Sequence, residues 1–247
     1  MNLTHSIQTI DTHTVGQSTR IIVSGVPPLK GNTMLEKKEY FAEHYDHIRR
    51  MTMLEPRGHA DMFGAVLTDP IHPRADYGVI FLDGEGSLNM CGHGTIGVAT
   101  ALVSAGMVPV CEPYTVITLE MPAGLIETRV RVENGEPKDV TFKNVPSFLY
   151  AKDETVMLPG LGEVTFDIAF GGSFFAIVHK DQLEIKAIDP EDIAFIIPKA
   201  LKLMEVINET LDIQHPNLPI NKVELVEIYG PPKSQNAHAQ NVVILGH

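Results

Sequence analysis

The densest chemistry in this chain lies in the run Asn89-Met90-Cys91-Gly92-His93-Gly94-Thr95-Ile96-Gly97. A cysteine stands between an apolar strand, Gly78-Val79-Ile80-Phe81-Leu82, and an apolar helix, Ile96 to Val103, closed by Gly106. The first N–H groups of a helix have no partner within it and carry a partial positive charge. A cysteine at such a place tends to a lowered pKa and can act as a thiolate at neutral pH. The flanking glycines let a small anion approach the same N–H groups closely. One short segment thus offers a base and a seat for a carboxylate.

Each feature also has a plainer reading. Free cysteine is among the most buried residue types, so Cys91 alone could be structural. Its place at a glycine-flanked strand-to-helix corner favours a reactive thiol. Cys111, in Val110-Cys111-Glu112-Pro113, has neither glycines nor a following helix and reads as an ordinary thiol. His93 suggests a Cys–His pair of the thiol-hydrolase type. Residues two apart at a helix start are expected to point to different sides, which speaks against that pair. One Cys-x-His without a second ligand pair is no zinc site. Glu55-Pro56-Arg57-Gly58-His59 and Asp61-Met62-Phe63-Gly64 read as a loop with a buried aromatic and a surface ion pair. Gly84-Glu85-Gly86 is a turn and not a phosphate loop, because no Gly-Lys-Ser/Thr follows. Gly171-Gly172 suggests a strand bulge or a close backbone approach.

The elements that must position Cys91 are mostly strands. Val164, Phe166, Ile168 and Phe170 alternate with Glu163, Thr165, Asp167 and Ala169, the period of a half-buried strand. Val130-Arg131-Val132 and Val140-Thr141-Phe142 flank Asn134-Gly135, a hairpin turn. Glu36 to Met51 is one helix candidate. Pro190 to Leu211 is another, with Asp189 as N-cap, Pro190 at the first position, and an apolar face of Ile193, Ile197, Ala200, Met204 and Ile207. The helix after Cys91 is apolar nearly all round, so it belongs at the centre of a fold, wrapped by sheet. A domain break is expected around Glu120-Met121-Pro122-Ala123-Gly124, giving domains over 1–121 and 122–247.

At 247 residues the chain is long enough for one large core or two small ones. A net charge of −12 excludes the basic surface that nucleic-acid binding needs. No apolar run is long enough to span a bilayer, and residues 1–17 lack the form of a signal peptide. Two cysteines make no disulfide framework, so a reducing, cytoplasmic setting is expected.

The Cys91 run resembles the first catalytic-cysteine motif of the proline racemase family, which includes hydroxyproline epimerases and shares the fold of diaminopimelate epimerase. Asp11-Thr12-His13-Thr14-Val15-Gly16, Met53 to His59, Asp61 to Gly64 and Gly171-Gly172-Ser173-Phe174-Phe175-Ala176 agree with it. The resemblance covers essentially the whole chain. It implies an α+β fold of two pseudo-symmetric domains, each a mixed, mostly antiparallel sheet around a central helix. It implies a homodimer without cofactor, pyridoxal phosphate included, that interconverts L- and D-proline by proton transfer between two cysteines. A 4-hydroxyproline 2-epimerase is the second reading. A non-catalytic amino-acid-binding fragment is the reading from another class. Under the resemblance Cys91 is one catalytic base, Gly92 and His93 hold the carboxylate, and Phe63 walls the ring pocket. The family's second cysteine motif, expected just beyond the strand Asn241-Val242-Val243-Ile244-Leu245, is not in this sequence. The second domain is therefore expected to lack its catalytic helix, and the chain as given is expected to be inactive.

Overall fold

The computed structural model describes residues 6–246. They fall into two compact units, Met1–Val145 and Pro146–His247. The break is not at 121/122. Met121 pairs with Gly124 across a hairpin turn, so Met121-Pro122-Ala123-Gly124 joins two neighbouring strands of one sheet. A turn and a linker share the same residue types, and pairing partners decide between them.

The first unit is built on strands β1 (Gln8–Thr14), β2 (Gln17–Ser24), β3 (Gly64–Thr68), β4 (Tyr77–Leu82), β5 (Ser87–Leu88), β6 (Tyr114–Met121), β7 (Gly124–Glu133) and β8 (Glu136–Lys143). They form one sheet in the order β1-β2-β3-β4-β6-β7-β8, with β5 paired to β4. Two helices pack on it. In α1 (Met34–Met53) the Thr33 hydroxyl caps the Glu36 N–H while the Glu36 carboxylate takes the Asn32 N–H, a reciprocal closure of the first turn. Its apolar face, with Met34, Phe41, Ile48 and Met53, buries against Ile22, Val66, Ile80 and Leu82. Helix α2 (Gly92–Ser104) lies against β1 and β2 at one end of the sheet and β7 and β8 at the other. The sheet curls round it, as an all-round apolar helix requires. Gly97 permits the contact: a Cβ there would stand 2.6 Å from the Thr12 hydroxyl.

The second unit holds β9 (Phe148–Leu158), β10 (Gly162–Phe170), β11 (Phe174–His179), β12 (Val223–Gly230) and β13 (Gln240–Leu245), in the order β13-β12-β11-β10-β9. Helix α3 (Ile193–Thr210) packs on β9, β12 and β13. In β10 Val164, Phe166, Ile168 and Phe170 are the buried set, as the alternation predicts. Gly171-Gly172 is the tight β10–β11 turn and not a bulge: the Gly171 N–H reaches the Ser173 carbonyl, and Phe170 pairs directly with Phe174.

The buried face of α3 differs from expectation. It is Ile196, Ala200, Leu203, Met204, Val206 and Ile207, while Ile193 and Ile197 stay 37% and 38% exposed. Pro190–Asp192 form a 3₁₀ turn and the α-helix starts at Ile193. Ala200, Met204 and Ile207 of the expected face are buried; in the first turns Ile196 takes the inward position in place of Ile193 and Ile197.

The two units repeat one theme. In the first, the antiparallel pair β1–β2 leads through α1 to β3, parallel to β2, and then to antiparallel β4. In the second, β10–β11 leads through α3 to β12, parallel to β11, and then to antiparallel β13. This is the two-domain α+β architecture expected from the sequence.

Candidate active site

Cys91 is the N-cap of α2. Its backbone is extended (φ −146°, ψ 116°), and its carbonyl takes both the N–H and the hydroxyl of Thr95, at 2.9 and 2.7 Å. The first turn carries no acidic side chain, so its N–H groups have no carboxylate cap. The N–H groups of Gly94 and His93 point at Cys91 Sγ. Gly94 is required there: a Cβ would stand 2.6 Å from the Phe81 ring and 3.2 Å from Sγ.

The thiol is only 8% exposed. Burial pushes its pKa from the ordinary value near 9 up to about 12. The nearby Asp83 carboxylate adds to the rise, and the Gly94 and His93 N–H groups oppose it. The resting group is therefore a thiol, contrary to the lowered pKa that a helix start suggests. Desolvation of a buried anion outweighs the helix-end field here.

His93 does face Cys91, with Sγ 3.4 Å from Nδ1. The rule that residues two apart diverge applies to two helical residues. Cys91 has strand-like dihedrals, so its side chain does not follow the helical wheel. Burial lowers the His93 pKa, and a hydrogen bond from the ring to the Ser18 carbonyl partly offsets this. A neutral ring that gives its N–H to Ser18 keeps the other nitrogen as an acceptor for the Cys91 S–H. The His93 carbonyl accepts the Thr14 hydroxyl at 3.0 Å.

Phe63 stands edge-on to the His93 ring, with centroids 4.7 Å apart and planes at 82°. The structure thus brings Cys91, Gly92, His93 and Phe63 into one neighbourhood of the first unit. Cys111 is exposed, and its N–H and carbonyl both bond the Thr115 hydroxyl. Several partners had no clear sequence signal. Asp83 closes the turn after β4 by accepting the Glu85 and Gly86 N–H groups. Asn89 is held by Lys38 of α1 at 2.7 Å and, through its carbonyl, by the Ala123 N–H. The Lys38–Asn89 contact, across 51 residues, leaves no local pattern to read.

A buried thiol, an imidazole and a helix start suit proton transfer at a carbon next to a carboxylate. The family model described as proline racemase matches residues 9–247. A proline racemase of Clostridioides difficile is 54% identical over all of this chain and 73% of its own length. A 4-hydroxyproline 2-epimerase of Streptosporangium roseum is 49% identical over 84% of this chain and 62% of its own. In three dimensions, a hydroxyproline epimerase from Agrobacterium vitis with bound trans-4-hydroxy-L-proline superposes with a TM-score of 0.88 at 28% identity, over 99% of this chain and 71% of that one. The chain belongs to the proline racemase family, a family of amino-acid racemases and epimerases. It spans about three-quarters of the length of the Clostridioides relative.

Proposed function

We propose, against the inactivity expected from the sequence, that this chain acts on free proline, moving the α-proton to and from Cys91 without a cofactor. The observation that carries the reading is the Cys91 thiol at the start of α2, with His93 Nδ1 at 3.4 Å and no acidic side chain in the first turn of the helix. As a base, the Cys91 thiolate takes the α-proton: the C–H bond breaks, an S–H bond forms, and the electron pair spreads onto the substrate carboxylate. The Gly92 and His93 N–H groups stabilise that charge in a preorganised way. In reverse, the Cys91 thiol donates the proton back. With its pKa near 12, Cys91 rests in this acid form. Inversion needs a second proton carrier on the opposite face of the substrate.

Phe63 forms an apolar wall for the pyrrolidine ring, and a secondary amine of this kind does not form the usual pyridoxal aldimine. The 54% identity to a proline racemase favours proline. trans-4-Hydroxyproline is the second reading, favoured by the bound ligand of the Agrobacterium vitis neighbour. A homodimer in a cytoplasmic setting completes the proposal. Both cysteines are free, in keeping with a reducing compartment. Among the described residues no helix is long and apolar enough to cross a membrane.

The test is solvent exchange. In D₂O, L- and D-proline and trans-4-hydroxy-L-proline are incubated with the protein and with Cys91→Ala, and α-deuterium is followed by NMR. Deuterium entering proline faster than hydroxyproline, and not at all with Cys91→Ala, supports the proposal. Faster exchange of hydroxyproline moves the assignment to the second reading. Light scattering settles the dimer.

A further inference from the structure

Four of the five N–H donors of one arginine side chain are engaged here, two by a carboxylate on β1 and two by carbonyls at the end of α1 and just beyond it. Arg20, on β2, gives Nε and Nη2 to the two Asp11 oxygens at 2.9 and 2.8 Å. Its Nη1 reaches two carbonyls, Thr52 in the last turn of α1 and Arg57 just beyond it. A planar fork locked by a carboxylate places its remaining donors with little further loss of freedom. A guanidinium at a helix C-terminus is also electrostatically favoured. The Arg20 backbone N–H then holds the far end of the same segment, at the Phe63 carbonyl, 2.9 Å away.

Both ends of the Thr52–Phe63 segment are therefore tied to one residue of β2. Phe63 is the member of that segment that meets the site, through its edge-on contact with His93. We propose that Arg20 is a positioning residue: its fork, fixed by Asp11, sets the Thr52–Phe63 segment so that Phe63 keeps the His93 ring against Cys91. Arg20 acts at a distance and touches no reacting atom. Lysine is no substitute, because an ammonium cannot grip a carboxylate with two parallel bonds and reach two carbonyls as well. The inference rests on Cys91 being the reactive group of the proposed function.

The test reads Cys91 directly and does not need turnover. Iodoacetamide labelling of Cys91 is followed by peptide mass spectrometry from pH 7 to 11 in the wild type, Arg20→Lys, Phe63→Ala and the double variant. Arg131→Lys serves as a control, an ion-paired arginine on β7 outside the site. Loosening the wall admits water to the thiol. Arg20→Lys is expected to shift the labelling profile to lower pH by about one unit, a tenfold rise in rate at fixed pH. Phe63→Ala shifts it the same way. If Arg20 acts through Phe63, the double variant labels no faster than Phe63→Ala, within ~2-fold. Arg131→Lys leaves the profile unchanged. An Arg20→Lys profile identical to wild type, or effects that multiply in the double variant, overturns the proposal. Circular dichroism monitors folding. Should Arg20→Lys not fold, Asp11→Asn, which weakens the fork and leaves the carbonyl contacts, takes its place in the same cycle. L-Proline protection of wild-type Cys91 is measured alongside. Its absence would count against the proposed function and leave the outcome of the cycle readable.

Discussion

At the scale of residues, the site is a neutral pair. Burial raises the Cys91 thiol to about 12 and lowers the His93 imidazole, so neither is charged near neutral pH. The thiol's folded pKa lies above its unfolded value, so its contribution to stability is full below about 9 and fades as pH rises towards 12. The loss amounts to about 4 kcal/mol for three pKa units. Chemical denaturation between pH 8 and 11.5 should show stability falling across that window, and the fall should disappear in Cys91→Ala. The imidazole has the opposite sign. Its folded pKa is depressed, so stability present above the unfolded value is lost as pH falls below about 6.5. Asp83→Asn removes a nearby negative charge and should shift the Cys91 labelling profile to lower pH; a shift to higher pH would show that Asp83 stabilises the thiolate instead. The place of Cys91 at the start of α2 was legible from its glycines and the strand-to-helix corner. Its protonation state was not, because the helix end was visible in sequence and the depth of burial was not. The Cys91–His93 contact was hidden for a related reason: spacing fixes direction only between residues that share a helical backbone.

At the scale of elements, α2 and α3 make separable predictions. Gly97 brings α2 against Thr12 and Thr19, where a Cβ meets atoms at 2.6 and 3.2 Å. Gly97→Ala should therefore destabilise the first unit by ~1–3 kcal/mol despite the better helix propensity of alanine. A stabilised Gly97→Ala variant would mean the helix stands further from β1 and β2. On α3, Ile196 is fully buried and its neighbour Ile197 is not. Ile196→Ala should cost ~2–4 kcal/mol. Ile197→Ala should stay within about 0.5 kcal/mol. Urea unfolding of the two variants checks the pair, and equal losses would restore the face counted from Pro190. Strands were easier to read than helix faces here. Period-two alternation leaves two faces to choose between, whereas the apolar residues of α3 cover more than one stripe, and spacing alone does not tell Ile196 from Ile197. The Asn134-Gly135 hairpin, with its left-handed dihedrals, stands where the dipeptide predicts it.

At the scale of the whole molecule, two compact units share one topological theme, and the complete Cys91 neighbourhood lies in Met1–Val145. A contiguous unit with its own core is expected to fold by itself. A fragment over residues 1–145 should keep the Cys91 labelling profile of the full chain within about half a pH unit. A profile collapsed onto that of a free thiol would show that the second unit is needed to bury Cys91. The family and the two-unit fold were legible because several short motifs agree over the whole length. The boundary was misplaced by 24 residues, 145 against 121, since Pro122 and Gly124 mark a turn equally well inside a sheet and between domains.

The central claim is that Cys91 carries the α-proton of proline, and α-deuterium exchange tests it most directly. Deuterium from D₂O is expected to enter the α-position of at least one proline enantiomer with the native chain, with no pyridoxal phosphate or metal added. Cys91→Ala should abolish that exchange while Cys111→Ala leaves it intact. Exchange that persists in Cys91→Ala, or that disappears in Cys111→Ala, would contradict the assignment.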